Sequence, residues 1–128
     1  MYISHQISKL GFIGFFITIL VFLGTQTSAA TFLTNEELLT TIPGKTLSGK
    51  TDDGKKWTQT YSKGKRNKGR YNGIYEGEKY TGKWFVKNGQ WCENWGEGNE
   101  CRYMEQIKNN KLRGYKDGKP RKYLWTIN

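Results

Sequence analysis

Cys92-Glu93-Asn94-Trp95-Gly96-Glu97-Gly98-Asn99-Glu100-Cys101 is the stretch whose reading decides the fold. Its two ends are the chain's two cysteines. A hairpin folded about Gly96-Glu97 sets Trp95 against Gly98, Asn94 against Asn99, Glu93 against Glu100 and Cys92 against Cys101. Gly96 supplies the positive φ that the first loop position of a type II′ turn requires. Counting outward, the cysteines fall at a non-hydrogen-bonded pair, where facing Cα atoms lie about 4.5 Å apart. A disulfide accepts about 4.4–6.8 Å. The spacing therefore predicts a disulfide, a strand register and an oxidising compartment.

One hairpin upstream, Asn88-Gly89 is the strongest short turn signal in the chain. It pairs Val86 with Trp91 and Trp84 with Glu93, so that one face carries Trp84, Val86, Trp91 and Trp95. Arg102 then stands opposite Trp91, with Met104 further along, and either a cation–π contact over Trp91 or a diagonal ion pair with Glu93 is expected of it. The other face carries Phe85, the disulfide and Tyr103. The tryptophan face is expected to point into the core.

Further out, turn signals recur at short intervals: Asp52-Asp53-Gly54, Lys63-Gly64 and Asp117-Gly118. The segments between them are rich in Thr, Tyr, Trp and Val. Such spacing predicts strands near 45–51, 55–62, 70–76, 79–87, 90–95, 100–108, 111–116 and 121–127. Short linkers make sequential strands pair as an antiparallel meander. The predicted fold is mainly β, about eight strands forming a barrel or a strongly curled sheet. One short N-terminal helix precedes it: Thr34-Asn35-Glu36-Glu37 fits a capping box, Leu33 and Leu38 the hydrophobic staple, and Ile42-Pro43-Gly44 the stop. Leu38, Leu39 and Ile42 would face the sheet.

Residues 1–30 read as a signal peptide, with Lys9 in a thin positive region, an uncharged run from Leu10 to Leu23, and small residues at Ser28 and Ala30. The run is shorter than the roughly 18 apolar residues of a spanning helix, so no stable membrane span is expected after cleavage. Residues 31–128 would then form a single exported β domain, periplasmic or secreted. Its disulfide closes a short loop and contributes about 2–3 kcal/mol, leaving burial, chiefly of Trp and Tyr, to carry the stability. Its net charge is one less than the +10 of the whole chain, because only Lys9 leaves with the leader.

Absences restrict the chemistry. The one histidine, His5, lies in the leader, so the exported domain offers no imidazole for catalysis or metal binding. Bonded cysteines remove thiolate chemistry and zinc–thiolate sites. No cofactor motif is present. Neither catalytic residues, a metal site nor a cofactor is expected. Carboxylates are what remains, with Glu93 and Glu100 facing each other across the hairpin.

Two features suggest binding. Lys63, Lys65, Arg66, Lys68 and Arg70 form a basic stretch that reads as a mobile, solvated loop or as an anion contact for a lipid headgroup or polysaccharide. Nucleic acid is not expected of an exported disulfide domain. Trp84, Trp91 and Trp95 are either the packed core or the floor of a pocket. The leading expectation is a non-catalytic binding or interaction module. The alternatives are a small carboxylate-dependent envelope hydrolase and a partner protein of another envelope component. The residues do not fix the oligomeric state.

Pro43-Gly44-Lys45-Thr46-Leu47-Ser48-Gly49, Gly82-Lys83-Trp84-Phe85-Val86 and the cysteine hairpin with Trp95 inside it also form a pattern. It resembles a domain-of-unknown-function family of small secreted proteins from Gram-negative proteobacteria. The resemblance covers about residues 33–127 and implies a periplasmic or secreted β domain, with no reaction or catalytic residue to carry over.

Overall fold

The computed structural model describes Gly24 and residues 29–128. The expected signal peptide falls almost wholly outside the described residues. Among the described residues one helix, α1 (Asn35–Thr41), precedes nine strands. These are β1 (Thr46–Lys50), β2 (Lys56–Tyr61), β3 (Lys68–Tyr75), β4 (Glu78–Lys87), β5 (Gln90–Asn94), β6 (Glu100–Lys108), β7 (Lys111–Lys116), β8 (Lys119–Pro120) and β9 (Trp125–Ile127). Each of β1 to β7 pairs antiparallel with the next, and β9 pairs with both β7 and β1. The ring is therefore a closed eight-stranded antiparallel barrel, with β8 a short flap on the edge of β7. Closure leaves the eight ring strands without a long unpaired edge.

The central register is the one the cysteine spacing predicts: Trp91↔Arg102, Cys92↔Cys101 and Glu93↔Glu100. A disulfide joins Cys92 and Cys101, whose Cα atoms are 4.0 Å apart. The turn itself is wider than the expected two-residue loop, because β5 stops at Asn94 and β6 starts at Glu100. The Asn94 side chain accepts from the Gly96 backbone N–H and donates to Asn99, replacing ladder bonds with a side-chain-built loop. Gly96 and Gly98 both have positive φ, 107° and 96°.

The tryptophan face does point inward. Trp84, Val86, Trp91 and Met104 are buried, and Trp84 stacks on Trp91 with centroids 5.0 Å apart. Trp95 departs from that face and is 40% exposed at the rim. Glycines make the interior wide enough for these rings. Four cross-strand pairs set a glycine directly opposite a large ring: Gly49↔Trp57, Gly69↔Trp84, Gly73↔Tyr80 and Gly82↔Tyr71. At each, a Cβ would come within 2.6 Å of the facing ring, so the ring lies across bare backbone.

Helix α1 closes one end. Thr34 caps it through a full capping box with Glu37. Leu33, Leu38 and Ile42 join one buried cluster with Leu47, Tyr61, Trp84, Trp91 and Leu112. Hydrogen bonds from Gly89 N–H to Asn35 Oδ1 and from Gly44 N–H to the Tyr61 carbonyl fasten it to the strand ends there. Leu39 packs partly buried against the same cluster.

Two expected strand limits need correction. The basic stretch is an exposed hairpin turn between β2 and β3, but a tighter one than expected: Lys65 and Lys68 exchange backbone hydrogen bonds across it, and β3 begins at Lys68 rather than near 70. Asn67 fixes this turn to Val86 through both its carbonyl and its side-chain amide. The expected last strand, 121–127, is broken. β8 and β9 take different stretches of the β7 edge, and the intervening residues leave the ladder. Pro120 has no N–H to continue it. Arg121 instead bonds back to Gly114 and accepts from Arg113 through its carbonyl.

Candidate functional site

At the end opposite α1 the strands of the barrel do not meet over their interior, and a cavity of ≈ 390 Å³ opens there. Three turns surround its mouth: β1–β2, β3–β4 and β5–β6, together with the segment linking β8 to β9. Its walls are aromatic: Trp57, Tyr75, Tyr80, Trp95, Tyr123 and Trp125. Trp57 and Trp125 meet edge to face at 4.9 Å. Such rings offer flat apolar faces with a negative quadrupole.

Gln59 and Glu93 form the floor and are nearly sealed from solvent, 4% and 3% exposed. Alternation along β2 puts Trp57, Gln59 and Tyr61 on the inner face, and the Trp84↔Glu93 register puts Glu93 there too. Three donors hold the Glu93 carboxylate. Trp91 Nε1 donates to Oε1 at 2.9 Å, Tyr61 Oη donates to Oε1 at 2.5 Å, and Gln59 Nε2 donates to Oε2 at 3.3 Å. Gln59 Oε1 lies 2.8 Å from the same Tyr61 hydroxyl, completing a buried triangle. Burial pushes the Tyr61 phenol well above its ordinary pKa, and the neighbouring Glu93 pushes it further, so it remains a donor. Tyr80, on the wall, is pushed up to about 12 by the same two causes in the same order.

Of the four cations lining the cavity, Lys50, Arg102 and Arg121 are engaged with other partners. Arg102 stands opposite Trp91 in register, but its guanidinium pairs with Glu100 at 3.2 Å and lies over the Trp125 ring at 4.9 Å. The expected ion pair with Glu93 and contact with Trp91 are both replaced. The Arg102 side chain, only 11% exposed, meets carboxylate and ring face together. Lys116 also reaches Glu100 at 3.5 Å. Arg121 pairs with Asp52 at 3.2 Å, and Lys50 lies 5.4 Å above the Tyr123 ring. Glu93 consequently has no cation within ion-pair distance among the described residues.

The sequence-predicted candidates separate into two places. Trp84 and Trp91 are core, while Trp95 reaches the cavity. Glu93 and Glu100 both face the cavity, one at the floor and one beside Arg102. Lys63, Lys65, Arg66, Lys68 and Arg70 lie at the α1 end, on the β2–β3 turn and the start of β3, away from the cavity. Gln59, Tyr61, Tyr80, Arg121 and Tyr123 were not singled out by sequence. For Gln59 and Tyr61 the signal was present: Trp57-Thr58-Gln59-Thr60-Tyr61 alternates, and alternation puts a lone amide between two inward rings.

The class this fold defines is a closed antiparallel meander barrel, plugged at one end and hollow at the other. No protein-family model, curated protein or solved structure matches the chain. The disulfide fits a protein that folds in an oxidising compartment.

Proposed function

We propose that this chain is an exported, non-catalytic binding protein whose barrel takes one small, flat organic molecule through the end opposite α1. The observation that carries the reading is the cavity: ≈ 390 Å³, with six aromatic side chains in its walls, Gln59 and Glu93 fixed at its floor and further charged side chains of both signs around them. That is within the range of small-molecule sites, which pair apolar walls with a few placed polar atoms. An eight-stranded barrel has just enough interior either to be filled by side chains or to hold one small ligand. Here the α1 half is filled and the other half is not. The likeness to small exported proteobacterial proteins belongs to the same reading. A periplasmic or secreted site of action, and cleavage of residues 1–30, complete it.

The basic turn supports a different kind of binding, by charge alone and at the other end of the barrel. The two are separable by experiment. Titration with 2-naphthol, a flat neutral probe, is expected to change tryptophan emission saturably with one site per chain and little dependence on salt. Trp95→Ala, at the exposed rim, should weaken that binding without lowering the unfolding midpoint. Absence of saturable naphthol binding, alongside salt-sensitive binding to acidic phospholipid vesicles, would transfer the function to the basic turn.

A further inference from the structure

Glu93 is a carboxylate the barrel has enclosed and fixed, with no cation in direct contact among the described residues. Enclosing such a group costs stability unless hydrogen bonds and an opposite charge offset it. Tyr61, Trp91 and Gln59 supply the hydrogen bonds. No cation pairs with it directly among the described residues: Arg102, which acts on this network only at longer range, is turned to Glu100 and Trp125, and Arg121 to Asp52. A carboxylate has about four lone-pair sites, of which three are occupied here. The group is also part of the cavity surface, so a bound molecule can reach it.

Resting on the binding reading above, we infer that the ligand is a compact organic cation, an ammonium group carried on an aromatic body. Its charged head sits against Glu93 and its body lies among Trp57, Tyr80 and Trp125. The walls suit this ligand twice over. Aromatic faces attract cations within about 6 Å of the ring centroid, and they also bury the apolar body. Arg102 over Trp125 and Lys50 over Tyr123 show these rings already accepting cations. The net positive charge of the chain does not oppose the assignment. Formal charges lining the cavity balance, with Lys50, Lys79, Arg102 and Arg121 against Asp52, Glu78, Glu93 and Glu100. Surface charges further than about 8 Å away are screened at physiological salt, whereas Glu93 acts inside the barrel.

Three probes that share one ring and differ only in head group decide the matter: benzylamine, benzyl alcohol and benzoate, titrated calorimetrically near neutral pH. Benzylamine, cationic there, should bind about tenfold to a hundredfold more tightly than either of the others. Glu93→Gln keeps the shape and the acceptor for Trp91, and should remove that preference, bringing benzylamine down to the affinity of benzyl alcohol. Equal binding of all three, a preference for benzoate, or an unchanged benzylamine affinity in Glu93→Gln would overturn the cation assignment while leaving a binding barrel. If none of the three binds, the binding reading falls as well. Should Glu93→Gln fail to give a native circular-dichroism spectrum, the head-group comparison on the unaltered protein decides alone.

Discussion

Tyr71 lies across the backbone of Gly82 on the neighbouring strand, and its buried ring is packed between Tyr61 and Tyr80 at 5.5 and 6.1 Å. A Cβ at position 82 would fall 2.3 Å from the Tyr71 ring carbon and hydroxyl. The ring has nowhere to retreat, because both flanking tyrosines belong to the network around Glu93 and the cavity wall. Gly82→Ala is therefore expected to destabilise the barrel by about 1–3 kcal/mol, the usual cost of overpacking, despite the gain in chain entropy that alanine brings. Urea unfolding followed by tryptophan fluorescence measures it. The same substitution in a Tyr71→Val background should cost much less, and additive losses in that cycle would refute the steric account. At this scale the sequence shows the glycines but not their purpose. Gly82-Lys83-Trp84 reads as a strand with a weak point until register sets Tyr71 over the gap.

Elements were legible where their signals are local. The capping box Thr34–Glu37, the Asn88-Gly89 turn and the Cys92–Cys101 pairing are each settled within about ten residues of sequence, and all three are in the structure. Elements whose limits depend on distant partners were read less well. The break between β8 and β9 arises because the β7 edge is shared, and the order of the Lys65–Lys68 turn arises because Asn67 finds Val86 on β4. Arg102 illustrates the same limit at the site: its register was readable, but its choice of Glu100 and Trp125 over Glu93 depends on β9. Helix α1 is the clearest case of a local element with a distant task, since Leu38 and Ile42 fill the barrel's closed end. Leu38→Ala should cost about 2–5 kcal/mol by opening a void there. Ligand binding at the far mouth should survive in the fraction that remains folded. An unfolding midpoint unchanged by Leu38→Ala would mean that the helix decorates the barrel rather than plugging it.

The whole barrel is a container for buried phenols around one carboxylate, and this makes its stability depend on alkali. Burial raises Tyr61, Tyr71 and Tyr80 above the ordinary phenol value, and the field of Glu93 adds to it in each case. In the unfolded chain the same phenols titrate near 10. Below pH ~10 both states hold these protons and the stability is whole. Above it the unfolded chain sheds protons that the barrel retains, so stability falls as pH rises through the folded values, which for Tyr80 lie at about 12. The phenols and the fold should therefore be lost together. In an alkaline titration, near-ultraviolet tyrosinate absorbance from these three residues should lag behind free tyrosine and then rise in step with the collapse of the far-ultraviolet circular dichroism. Glu93→Gln removes the neighbouring negative charge, so it should lower the folded phenol values, narrow their gap to the unfolded chain and make stability fall less steeply with alkali. A complete tyrosinate spectrum at pH ~11 with the circular dichroism intact would show that water reaches these hydroxyls, and that the polar centre of the barrel is not sealed.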